Sequence, residues 1–94
     1  MILIADIQKA VARHYGMSRA ELLSKERIRL LSHPRQVAMF LSRQLTQHST
    51  VVIGHWFGRD HSTIIHGSQM VAKRLASNAA LRRDLAKLRK RLGA

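Results

Sequence analysis

The sequence predicts an all-α fold, about six helices in a compact bundle that contains a helix-turn-helix. Three observations carry this expectation. Apolar residues recur three and four apart along most of the chain. Good helix formers dominate, with few β-branched runs and a single proline. Capping residues stand where the periodic stretches begin or end. No internal repeat or low-complexity linker intervenes, so residues 1–94 are expected to form one domain.

The first helix is expected in "LIADIQKAVARHYG", where Ile4, Ile7, Val11 and Tyr15 share a face and Gly16 is a natural C-terminal stop. Ser18 and Glu21 have capping-box spacing and open a short second helix. Residues 24–33, "SKERIRLLSH", show no apolar stripe and hold Lys25, Arg27 and Arg29, which reads as a basic loop. Pro34 suits the first turn of a third helix, with Val37, Ala38, Leu41 and Leu45 inward. Ser49 can cap a fourth helix at about 50–57, and Asp60 a fifth at about 61–77. That fifth helix has Ile64, Ile65, Val71, Ala72 and Leu75 as its inward stripe. Asn78 restarts a sixth, with Leu81, Leu85, Leu88 and Leu92 on one seam and cations outside. The fourth and fifth helices, joined by a tight Gly-Arg turn, have helix-turn-helix spacing.

Charge narrows the function. Seventeen Lys+Arg stand against five Asp+Glu, a net +12 with histidine neutral, and a polyanionic partner follows from such an excess. With no cysteine there are no disulfides or thiolate metal sites. The opening "MILIA" is too short for a signal peptide, and nothing approaches the roughly 20 apolar residues of a membrane span. The expected location is therefore the cytoplasm, at the nucleoid.

The stretch "GRDHSTIIHGSQ" at 58–69 bunches polar side chains where the fifth helix begins. His61 and His66 are five apart, not the i, i+4 of helical zinc pairs, so no metal is expected. Ser62 and His66 can meet, but no nucleophile elbow or glycine-rich oxyanion loop accompanies them, which argues against an enzyme. No cofactor, small-molecule substrate or ATP is expected, since the phosphate-loop pattern GxxxxGK[ST] does not occur. Nucleic-acid reading accounts for more of these residues. Ser62, His66, Gln69 and Lys73 fall on one face opposite the apolar stripe. Asp60 serves either as an N-cap or as an acceptor for a cytosine amino group. A basic amphipathic helix, "ALRRDLAKLRKRL", keeps open the alternative of non-specific binding to nucleic acid or an anionic membrane.

"GRDHSTIIHG" resembles the signature of the C-terminal DNA-binding domain of the DnaA family of bacterial replication initiators. "IQKAVARHYG", "LLSKERIR", "PRQVAMFLSRQLTQHS" and "IGHWFGRDHST" follow in the family's order. The resemblance implies sequence-specific binding to duplex DNA at box-like origin or regulatory sites, in replication initiation or its regulation. It implies base contacts by Asp60, His61 and Ser62 in the major groove and by Arg27 in the minor groove. Phosphate contacts are implied for Arg35, Gln36, Arg43, Thr63 and His66, and Lys25 of the basic loop is expected to join them. One glycine, Gly58, stands where the family usually has two, and Ser62 stands where threonine is common. The oligomeric state is left open, as is whether this is one domain of a longer initiator or a free-standing relative.

Overall fold

The computed structural model describes residues 1–27 and 29–94 and contains six helices. They are α1 (Ile4–His14), α2 (Arg19–Leu23), α3 (Arg29–Leu45), α4 (Thr50–Phe57), α5 (His61–Leu75) and α6 (Ala79–Leu92). Among the described residues there is no strand. The expected helical class and the helix-turn-helix pair are present, and no helix among the described residues is long and apolar enough to cross a membrane.

Local chemistry sets most boundaries. Ser18 Oγ accepts from the Glu21 amide at 3.0 Å while Glu21 returns a bond to the Ser18 amide at 3.1 Å, a complete capping box. Ser49 Oγ accepts from the Val52 amide, and Asn78 Oδ1 from the Leu81 amide. Each satisfies a donor that the first helical turn cannot. Helix α1 stops where the Met17 and Gly16 amides fold back onto the Ala12 and Arg13 carbonyls.

Helix α3 is the central element, with α5, α1, α2 and α4 all packed against it. Val37, Ala38 and Leu41 of α3 meet Ile7 and Val11 of α1, Ile53 of α4, and Ile64 and Val71 of α5 in one core. Leu81, Leu85 and Leu88 close that core from α6, each about 1% exposed. Full burial of a leucine stabilises by roughly 1.5–3 kcal/mol, so α6 is anchored by its seam. One expected inward residue is not inward: Ala72 is exposed, and the buried face of α5 runs through Ile64, Gly67, Ser68 and Val71.

The basic loop is shorter than the sequence implied. Helix α3 begins at Arg29, leaving Pro34 inside the helix rather than at its first turn. Burial explains the shift, because Leu31 and Pro34 are both buried and the helical turn carrying them joins the core. The amide that Pro34 lacks would have bonded the carbonyl of Leu30, an 81%-exposed residue that water reaches. Ile28, within the expected loop, lies outside the described residues.

Candidate nucleic-acid interface

The turn Gly58–Asp60 aims the two helices. Gly58 has φ 62°, a left-handed conformation that costs a side-chain-bearing residue energy. The Gly58 and Arg59 amides close α4 onto the His55 and Gly54 carbonyls. Gly54 is needed for a different reason: a Cβ there would lie 2.6 Å from the Arg59 carbonyl oxygen. Both glycines let the chain turn back tightly enough to start α5 at His61.

Asp60 occupies the N-cap position in extended geometry, yet its side chain makes no cap bond. Its main-chain carbonyl accepts from Thr63 and Ile64, while the carboxylate lies across the first turn. Ser62 Oγ donates to it at 2.8 Å and His61 Nδ1 sits 2.9 Å from its other oxygen. These side-chain donors occupy both carboxylate oxygens that a cap would use. The Ser62 hydroxyl, with His61 adding, holds the Asp60 carboxyl below its usual range. A neutral His61 that donates Nδ1–H to Asp60 presents Nε2 outward as an acceptor. The three residues form one exposed polar unit at the N-terminus of α5. Further along, His66, Gln69 and Lys73 are exposed on the same face, as the spacing required.

Beside this unit runs a groove of about 670 Å³ between the basic loop, α3 and α5. Lys25, Arg27, Arg29, Ser32, Arg35, Gln36, Arg59, Thr63 and His66 line it, with Met39 and Gly67. Five of these are permanent cations and none is an acid. Three of the five acids are engaged elsewhere: Glu21 in its capping box, Asp84 with His14 at 3.0 Å, and Asp60 at the helix tip; Glu26 stands in the loop itself and favours the charged Arg35.

The expected site residues therefore divide. Lys25, Arg27, Arg35, Gln36, Thr63 and His66 converge on the groove, with Asp60, His61 and Ser62 at the adjoining tip of α5. Arg43 is elsewhere, at a shallower groove with Phe40, Gln44, Ser68, Gln69 and Ala72, where it donates to Ser68 Oγ at 2.9 Å. Gln36 accepts from Arg74 at 2.7 Å. Arg35 reaches the groove wall, but it is only 8% exposed and its guanidinium is turned inward onto the loop. Burial first, then the charge of Arg59, pushes its pKa below the ordinary value, against the pull of Glu26. Sequence reasoning did not single out Arg29, Ser32 or Arg59 as site residues. Arg59 had a signal, its place inside "GRDHS".

A helix-turn-helix whose second helix stands beside an acid-free cationic groove defines the class of protein. Helices so presented dock in the DNA major groove with their N-terminal residues toward the base edges. Comparison with known proteins narrows the class. The family model described as the bacterial dnaA protein helix-turn-helix matches residues 4–71. Over 92 residues, 97% of this chain, the sequence is 48% identical to the chromosomal replication initiator protein DnaA of Caulobacter vibrioides in strain NA1000 / CB15N. It is 46% identical over the same length to the protein of that name from Magnetococcus marinus. The chain spans about a fifth of those relatives, 19% and 21% respectively. This chain belongs to the bacterial DnaA helix-turn-helix family.

Proposed function

We propose that this chain is a sequence-specific reader of duplex DNA, acting in replication initiation or its regulation at sites of the DnaA-box type. The observation that carries the reading is the groove: five permanent cations, no carboxylate in its wall, and the tip of α5 at its edge. Nothing in its wall neutralises that charge, and a phosphate backbone does so while releasing its own counterions.

In this reading α5 enters the major groove with Asp60, His61 and Ser62 at the base edges. Arg27 reaches the adjacent minor groove, which A·T-rich sequence narrows and makes more negative. Lys25, Gln36, Arg43, Thr63 and His66 hold phosphates, fixing register while the base contacts specify. Residues 1–94 act as one domain, and without a phosphate-binding loop this segment contributes binding rather than ATP chemistry.

Fluorescence anisotropy with a box-containing duplex and a scrambled one, at physiological salt, tests the reading. A preference of about a thousandfold or more is expected, the low end for specific readers. Arg27→Ala and His61→Ala each reduce it by about 1–3 kcal/mol. Equal binding of both duplexes by the unaltered protein would overturn the proposal.

A second reading rests on α6, whose Arg83, Lys87, Lys90 and Arg91 are exposed while Leu81, Leu85 and Leu88 are buried and Leu92 partly so. With the seam spent on the core, this helix has no apolar face to insert into a membrane, and it supplies sequence-independent attraction to polyanions. Deleting it would open the core, so the informative change is glutamine at those four cations. Loss of scrambled-duplex binding with the box preference intact is the outcome this reading expects.

A further inference from the structure

Residues 24–27 of the basic loop have no regular structure, yet side-chain cations tie them to α3 and to the helix-turn-helix turn. Arg35 of α3 donates Nε to the Leu22 carbonyl at 2.7 Å, Nη1 to the Glu26 carbonyl at 2.7 Å, and Nη2 to the Ser24 carbonyl at 2.6 Å and hydroxyl at 3.0 Å. Arg59 of the helix-turn-helix turn donates to that same Ser24 carbonyl at 3.1 Å. Lys25 of the loop returns a bond to the Gly58 carbonyl of the turn. The Leu22 and Ser24 carbonyls lie at the C-terminal end of α2, where no intrahelical donor remains to satisfy them.

We infer that Arg35 is a positioning residue for DNA reading, a strut that sets the minor-groove arginine loop at a fixed offset from the recognition helix. This rests on the DNA-reading function proposed above and assigns Arg35 a role other than holding phosphate. The chemistry suits arginine alone. Its planar fork carries five donors in fixed directions, and four acceptors spread over residues 22–26 use that fork, whereas a lysine ammonium is a single point with three donors. Ser24 is shared by α3 and by the turn before α5, so a displacement of the loop is felt at the turn as well. Holding Arg27 in place before DNA arrives removes an ordering cost from binding, and that is how the strut acts on affinity.

Arg35→Lys, which keeps the charge, separates the two roles. A phosphate ligand tolerates that change, and its loss in Arg35→Ala lowers the slope of log affinity against log salt by about one. The strut predicts instead that Arg35→Lys loses most of the box preference that Arg27→Ala loses, roughly tenfold or more. It also predicts that the double variant Arg27→Ala/Arg35→Lys falls within about twofold of Arg27→Ala alone, since coupled residues are not additive. Scrambled-duplex binding and the salt slope of Arg35→Lys stay at the unaltered values. Unaltered box binding by Arg35→Lys, or a loss that adds in full to that of Arg27→Ala, overturns the inference.

Should Arg35→Lys unfold, Arg59→Lys makes the same test from the groove edge, keeping the charge while removing the guanidinium tie on Ser24 without entering the core. Backbone NMR order parameters of residues 24–27 give a DNA-free readout, expected to fall in either variant. Unchanged order in both overturns the strut on its own. A missing box preference in the unaltered protein, with loop order still dependent on Arg35, sinks the DNA reading and leaves the strut standing.

Discussion

The recognition helix and the basic loop present polar groups to the same groove, but they are held in opposite ways. The first turn of α5 is fixed by its own backbone ladder, by two glycines that let the chain turn, and by Ile64 and Val71 buried to 0% exposure. Residues 24–27 of the loop contribute no comparable ladder and depend on side chains of Arg35 and Arg59. Geometry written into a helix survives most surface substitutions. Geometry lent by distant side chains is lost when one lender changes, even if the loop sequence is untouched.

The sharpest way to break the helix side is Gly54→Ala. The added carbon falls 2.6 Å from a backbone oxygen that cannot rotate away. A destabilisation of about 1–3 kcal/mol is expected, read as a lower denaturation midpoint, together with weaker box binding. Stability equal to the unaltered protein would show that the turn has slack the structure does not display.

On the loop side Lys25→Met removes the bond to the Gly58 carbonyl without touching the core. Global stability should stay within about 0.5 kcal/mol, as for most surface changes, while loop order and box preference decline. A matching fall in global stability would mean the loop is part of the core's cooperative unit. Lys73→Ala, at the far end of the polar face of α5, should lower binding to both duplexes alike and leave their ratio unchanged.

The smallest effect concerns pH. His33 of α3 faces Tyr15 Oη at 3.4 Å and Arg74 Nη1 at 3.2 Å, and Tyr15 in turn donates to Asp84. Burial, then the charge of Arg74, lowers the His33 pKa from 6.5, with Asp84 opposing. The folded state thus favours the neutral ring. Its contribution is full above about 6.5 and is lost as pH falls through the lowered value, because the unfolded chain takes up the proton first. His33→Gln should flatten this acid limb of stability in thermal melts at pH 7 and pH 5, and an unchanged limb would assign it to another group.

Much of this was legible from residue order. Ser18, Ser49 and Asn78 cap the helices the sequence assigned them, because capping is a local bond between near neighbours. The leucine seam of α6 and the polar face of α5 follow from periodicity alone. What the sequence concealed depends on tertiary contact. Proline rules placed Pro34 at a helix start, yet burial of Leu31 and Pro34 draws the preceding turn into α3. Arg35 reads as one cation among many until its carbonyl partners, nine to thirteen residues away, are in view. Asp60 was legible as the boundary of α5, but not as the acceptor for Ser62 and His61, which only rotamers reveal.

The chain has a single tryptophan, Trp56, and α4 leaves it 44% exposed two residues before Gly58. Its own carbonyl accepts from the buried Gln8 of α1 at 2.9 Å, so its backbone is anchored while its indole meets solvent. The molecule thus carries one indole fluorophore, which longer-wavelength excitation separates from the phenol of Tyr15, mounted on the first helix of its helix-turn-helix. Quenching or a spectral shift on adding a ligand reports from that spot alone, with no dye attached.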